Sequence, residues 1–151
     1  MDMGKVMRWI RPIAVWLVAA LLAAVLGSLL QTQINLYDLQ RLGADIGWSE
    51  RWATSGQDLL GFGPAWFGLV AIGFAIALPV AAWIVHRYGR RAFWFTLAGA
   101  CAVAAILTSM SLLLGIMPIA AAREWPGFGG MLLTGAAGGC FGGWLLARRR
   151  P

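Results

Sequence analysis

AWFGLVAIGFAIALPVAAWIV occupies residues 65–85, followed by HRYGRR at 86–91 and AFWFTLAGACAVAAILTSMSLLL at 92–114. The flanking runs, 21 and 23 residues long, contain no Asp, Glu, Lys or Arg, while the six residues between them hold three arginines and a histidine. A bilayer core about 30 Å thick is crossed by roughly 20 apolar residues in a helix. The stretch therefore reads as two spanning helices joined by a short basic turn.

Two further uncharged runs flank this hairpin, at 13–30 and 127–147. Four spans and their turns take up most of the 151 residues, and the largest remainder is the segment 31–64. The expected fold is an all-α membrane protein, residues 1–151 forming one four-helix domain. Prolines punctuate it: Pro12, Pro64 and Pro126 stand just before spans, where a missing N–H costs nothing, and Pro118 follows the third. Pro79 alone lies inside a span, so a kink is expected there.

Composition agrees. Apolar residues make up 60% and charged residues 12%, and mean hydropathy is +0.74; soluble domains carry about twice that share of charge. Two cysteines exclude a disulfide framework. Lys5, Arg8 and Arg11 precede the first span as they would a signal peptide, but the run exceeds a signal core and leucines follow Gly27-Ser28. A retained anchor is expected.

Charge sorts by side. The two tails and the 86–91 turn hold Lys5, Arg8, Arg11, Arg87, Arg90, Arg91, Arg148, Arg149 and Arg150 against Asp2 alone. The other side holds Arg41, Arg51 and Arg123 against Asp38, Asp45, Glu50, Asp58 and Glu124. Basic residues mark the cytoplasmic face, so both termini are expected there and 31–64 outside. Tryptophans favour the headgroup level. Trp9, Trp83, Trp94 and Trp144 fall at inner span ends, and Trp48, Trp52, Trp66 and Trp125 on the outer side. A multi-pass protein of the bacterial inner membrane is the expected location. The net charge of +6 then reports orientation, with no nucleic-acid partner implied.

Eight glycines crowd the fourth span. Gly135, Gly139 and Gly143 repeat every four residues, beside a second stripe of Gly130, Thr134, Gly138 and Gly142. Such spacing lets helix backbones approach closely. It fits packing inside the bundle, or contact with a membrane-protein partner or a second copy through this helix.

Chemistry is scarce. Apart from Cys101 and Cys140, expected as buried spectators, the spans hold no ionisable group. Proton relays and most ion-coupled carriers need one. Thr108, Ser109 and Ser111 could line a shallow vestibule. With one histidine, His86, and no nucleophile grouping, no metal, cofactor or catalytic residue is assigned.

The segment 31–64 leaves the first span as polar Gln31-Thr32-Gln33-Ile34-Asn35. Leu36, Leu39, Leu42 and Ile46 predict a short amphipathic helix on the membrane face, stopped near Gly43 and anchored by Trp48 and Trp52. Ser55-x-x-Asp58 resembles a cap opening one more turn. Gln31, Gln33, Asn35, Asp38 and Asp58 are the candidate recognition residues; an amphipathic cover over the helix ends is the alternative.

QTQINL, TSGQDLLGFGPAWFGLV, LPVAAW and GIMPIAAAR together resemble a pattern in small, uncharacterised four-span inner-membrane proteins of proteobacteria. The resemblance implies location and architecture, and marks Gln31, Gln33, Asn35, Asp58, Gly61 and Pro64 for testing. The expected function is a non-enzymatic accessory, assembly or scaffold subunit of a membrane complex. A homo-oligomeric carrier or pore, or a lipid- or quinone-binding protein, are the alternatives.

Overall fold

A computed structural model describes residues 3–148, with side chains from Ile10 onward. The side chains of Asp2, Lys5, Arg8, Trp9, Arg149 and Arg150, used above for orientation, lie outside the described residues. The described residues form α1 (Met3–Arg41), α2 (Trp48–Gly61), α3 (Gly63–Tyr88), α4 (Arg91–Leu114) and α5 (Trp125–Ala147), with a single 3₁₀ turn at Ala120–Arg123. Four of these, α1, α3, α4 and α5, are long and apolar enough to cross a membrane.

The four pack in a ring, α1 beside α3, α3 beside α4, α4 beside α5 and α5 back onto α1. Arg11 Nη2 donates to the Leu145 carbonyl at 3.2 Å, so the start of α1 meets the end of α5. This is the terminal end of the bundle; the opposite, hairpin end carries α2. Trp66, Val70, Phe74, Phe95, Val103, Leu107 and Met131 are fully buried between the helices. Their apolar bulk fills the axis of the ring.

The expected loop at 31–64 is a correction. α1 runs 39 residues without a break to Arg41, about 58 Å at 1.5 Å per residue against a bilayer core of about 30 Å. Gln31 does not end the helix; the polar run it opens continues as α1. Water can solvate an exposed helix face, and Gln, Leu and Arg are good helix formers. The leucine pattern from Leu36 to Leu42 thus belongs to the last turns of α1, not to a separate helix. Gly43, with φ +95°, supplies the left-handed residue that closes it. After a short turn α2 begins at Trp48, where the Glu50 carboxylate accepts from the Gly47 N–H at 3.1 Å. Ser55 and Asp58 are inside α2 and cap nothing.

Pro64 and Pro126 stand in the first turns of α3 and α5, as their spacing predicts. Pro12 instead lies within α1, which starts earlier than the apolar run. Pro79 lies inside α3, which continues through it unbroken.

Candidate functional site

α5 is the element on which the bundle is assembled. In water eight glycines would unwind it; in lipid the backbone has no other hydrogen-bond partner and stays helical. Its two stripes meet two different neighbours. A Cβ at Gly135 would strike the Gly99 carbonyl and come within 2.5 Å of Val103, and at Gly143 it would stand 2.9 Å from the Phe95 side chain. At Gly139 it would strike the Phe95 carbonyl and lie 3.1 Å from Gly99 Cα. These three face α4. Gly138 faces α1, where a Cβ would lie 2.7 Å from both the Ala19 carbonyl and Ala23. Gly142 meets Ala19 at 3.1 Å and Gly130 meets Leu30 at 2.8 Å. Thr134 turns its hydroxyl back to the Met131 carbonyl at 2.7 Å.

Both stripes are therefore occupied within the chain. The glycine faces the sequence offered for a partner are filled here by α1 and α4 of the same chain. The complementary small residues, Gly99 on α4 and Ala19, Ala20, Ala23 and Ala24 on α1, are nearly or fully buried and were not singled out from the sequence. Ala19 and Ala23, four apart like the glycines, were the available signal.

The polar site lies at the hairpin end, where α2 folds back along α1. The Thr32 hydroxyl lies 2.8 Å from Asp58 Oδ2 and 3.0 Å from the Ser28 carbonyl, both acceptors for its one proton. Gln33 Nε2 donates to Ser55 Oγ at 3.1 Å. Arg51 forks, donating to Gln33 Oε1 at 2.9 Å and Gln40 Oε1 at 2.6 Å, with its guanidinium 5.9 Å from the Trp48 ring. Ser28 and Thr32 are 1% exposed and Ser55 is also buried.

Of the five recognition candidates, Gln33 and Asp58 join this cluster. Gln31 is half-buried, its Oε1 enclosed and without a hydrogen-bond partner. Asn35 is half-buried and Asp38 exposed, and neither takes part. Thr32, Gln40, Arg51 and Ser55 were missed. Arg51, Ser55 and Asp58, at spacings of four and three, form one face of a helix, and Gln33 and Gln40, seven apart, form another. That signal becomes readable once 31–61 is taken as two helices.

Three other expectations change. Trp66, assigned to the interfacial belt, is 1% exposed and wedged against Gly27, where a Cβ would come 2.5 Å from its Nε1. Cys101 and Cys140 are exposed on the outside of the bundle instead of buried in it. Thr108 and Ser109 face outward and Ser111 is half-buried; of the three, Ser109 borders a groove between α3 and α4, an apolar one.

Chemically, the cluster is a clamp. It joins two helices through neutral and charge-assisted hydrogen bonds, the Thr32 hydroxyl on the Asp58 carboxylate among them. Among the described residues no three His, Cys, Asp or Glu side chains converge on a metal-sized site. Comparisons with protein-family models, curated proteins and solved structures find no match. Fold and site together define a multi-pass, four-span membrane protein whose first span extends into a clamped helical hairpin.

Proposed function

We propose that the chain is a non-enzymatic accessory or assembly subunit of an inner-membrane complex, with both termini cytoplasmic and the α1–α2 hairpin on the periplasmic side. One observation carries the reading: the clamp holds a rigid hairpin whose apolar side is left uncovered. Trp48 and Trp52 are 79% and 73% exposed, and Leu42 and Leu60 of the same hairpin are exposed as well. Buried polar groups spent on fixing α2, and large apolar ones left outside, suit a docking element better than a reaction centre. The nine basic residues on one side support the orientation. The expected carrier or pore draws no support from the ring axis, which buried aromatic and aliphatic side chains fill.

Gentle detergent extraction of the tagged chain, followed by mass spectrometry, tests the proposal. One other membrane protein is expected in stoichiometric amount, and Trp48→Ala with Trp52→Ala should release it while the purified chain stays folded. Recovery of the chain alone, or a partner insensitive to both substitutions, would refute it. A reporter fused into the 42–47 turn that is active only in the cytoplasm would reverse the orientation.

A further inference from the structure

We infer that the terminal end of the bundle holds one anionic phospholipid, its acyl chain in a slot between α1 and α3 and its phosphate beside Arg11. The slot measures about 400 Å³, within the usual range for a small-molecule site. Pro12 and Trp16 of α1 face Ala75 and Pro79 of α3 across it, with Phe95 and Leu146 at its back. Trp16 marks one limit of the slot on α1, where its Nε1 donates to the Ala71 carbonyl at 2.9 Å. Ala75, Pro79 and Ala82 are exposed, so the slot opens sideways where spanning helices meet lipid.

Two arguments select the occupant. The lining is almost wholly apolar and belongs to helices long and apolar enough to cross a membrane, around which the solvent would be acyl chain. A void left unfilled there forfeits dispersion contacts along its walls. The mouth is basic. Arg11 directly precedes Pro12 in the slot wall and is braced on the Leu145 carbonyl, and Arg148, stacked 3.7 Å over Trp144, follows Leu146 by two residues. Among the described residues, this end holds Arg11, Arg87, Arg90, Arg91 and Arg148 and no Asp or Glu. A chain in the slot therefore brings its headgroup to a positive rim, which favours a phosphate without a compensating ammonium. This site is independent of the hairpin and of any partner docked there.

Native mass spectrometry of the purified full chain is the test, titrating phosphatidylglycerol or phosphatidylcholine with identical acyl chains. One tightly held phosphatidylglycerol is expected, with half-occupancy at about fivefold lower concentration than phosphatidylcholine, the factor one basic residue near a charged surface contributes. Arg11→Gln should abolish that preference while the chain still binds. Ala75→Phe and Ala82→Phe fill the slot from its open side. They should weaken both lipids by about tenfold, what losing two buried methylene contacts amounts to. Leu133→Phe, on the exposed side of α5, should change nothing. Equal affinity of the wild type for the two lipids would overturn the inference, and needs no variant to fold. Unchanged binding in both slot-filling variants, or equal loss in Leu133→Phe, would also overturn it.

Discussion

Gly139→Ala adds one methyl group to one of the most crowded helix contacts in the molecule. That methyl would strike the Phe95 carbonyl and stand 3.1 Å from Gly99 Cα, both on the backbone of α4. A backbone atom cannot rotate aside as a side-chain tip can, so α4 and α5 must separate. Separation also loosens the neighbouring contacts at Gly135 and Gly143. Overpacking of this kind costs about 1–3 kcal/mol. For a chain of this size that is about 2–12 °C in Tm, at roughly 2–4 °C per kcal/mol. Gly129→Ala is the matched control, because a Cβ there meets nothing within 4 Å. Helix propensity alone would make it neutral or stabilising by up to about 1 kcal/mol. The assay is thermal unfolding of the detergent-solubilised protein by circular dichroism, with size-exclusion chromatography to record the oligomeric state. Gly99→Ala presses on the same contact from the other side. The double variant should cost less than the two singles added, since one displacement of α4 accommodates both methyls. A Gly139→Ala protein as stable as the Gly129→Ala control would refute the close approach. A variant that kept its Tm and lost only self-association would place the stripe between chains.

At the hairpin, Thr32→Val removes the hydroxyl facing Asp58 and should cost about 1–3 kcal/mol, as a partly buried carboxylate loses a donor. With Asp58→Asn, a double-mutant cycle in the same thermal assay should return a coupling of about 1 kcal/mol. Arg51→Ala releases Gln33 and Gln40 together and should speed protease cleavage in the 42–47 turn while the four spans keep their helicity. Trp16→Phe keeps an aromatic ring, though a smaller one, and loses the bond to the Ala71 carbonyl, for an expected loss of at least about 0.5–1.5 kcal/mol. Gly27→Ala should be among the more damaging alanine substitutions in α1, since its methyl would press on the buried indole of Trp66; unchanged stability would mean that Trp66 has room to move.

The spans could be read because lipid imposes a one-dimensional requirement: enough consecutive apolar residues, with no ionised group left stranded. The two glycine stripes were readable as surfaces, yet their partners were not. A four-residue repeat states that something comes close, while the identity of the neighbour depends on ring order, which no local pattern carries. The segment 31–64 was misread for a related reason. A run of polar residues such as that opening at Gln31 does not end a helix whose backbone bonds continue. Ser55-x-x-Asp58 has the composition of a cap, but the same side chains serve as cross-helix partners when Gln33 and Thr32 face them. Trp66 illustrates the opposite error. It stands near a span end like the interfacial tryptophans, and only the glycine facing it on α1 draws it into the core.

The small and polar residues of this chain are used in different places, and the division explains where a partner can act. Gly99 and the glycines of α5, with the alanines of α1, bring three spanning backbones together, and close packing of this sort is rigid. α3 depends less on it: apart from Gly73, which meets Ile106 of α4, it packs through large side chains such as Trp66, Val70 and Phe74. The slot opens along this helix, at the side chains of Ala75, Pro79 and Ala82. The polar residues, in contrast, are concentrated on the α1–α2 hairpin, where the exposed Arg51 bonds to Gln33 and Gln40 are weakened by water while the Thr32–Asp58 contact is partly buried. A partner gripping α2 would therefore pull first on the Thr32–Asp58 and Arg51 contacts, and beyond them on the crossing of α1 with Trp66. That order of yielding predicts that a docked hairpin alters α3 before it alters α5.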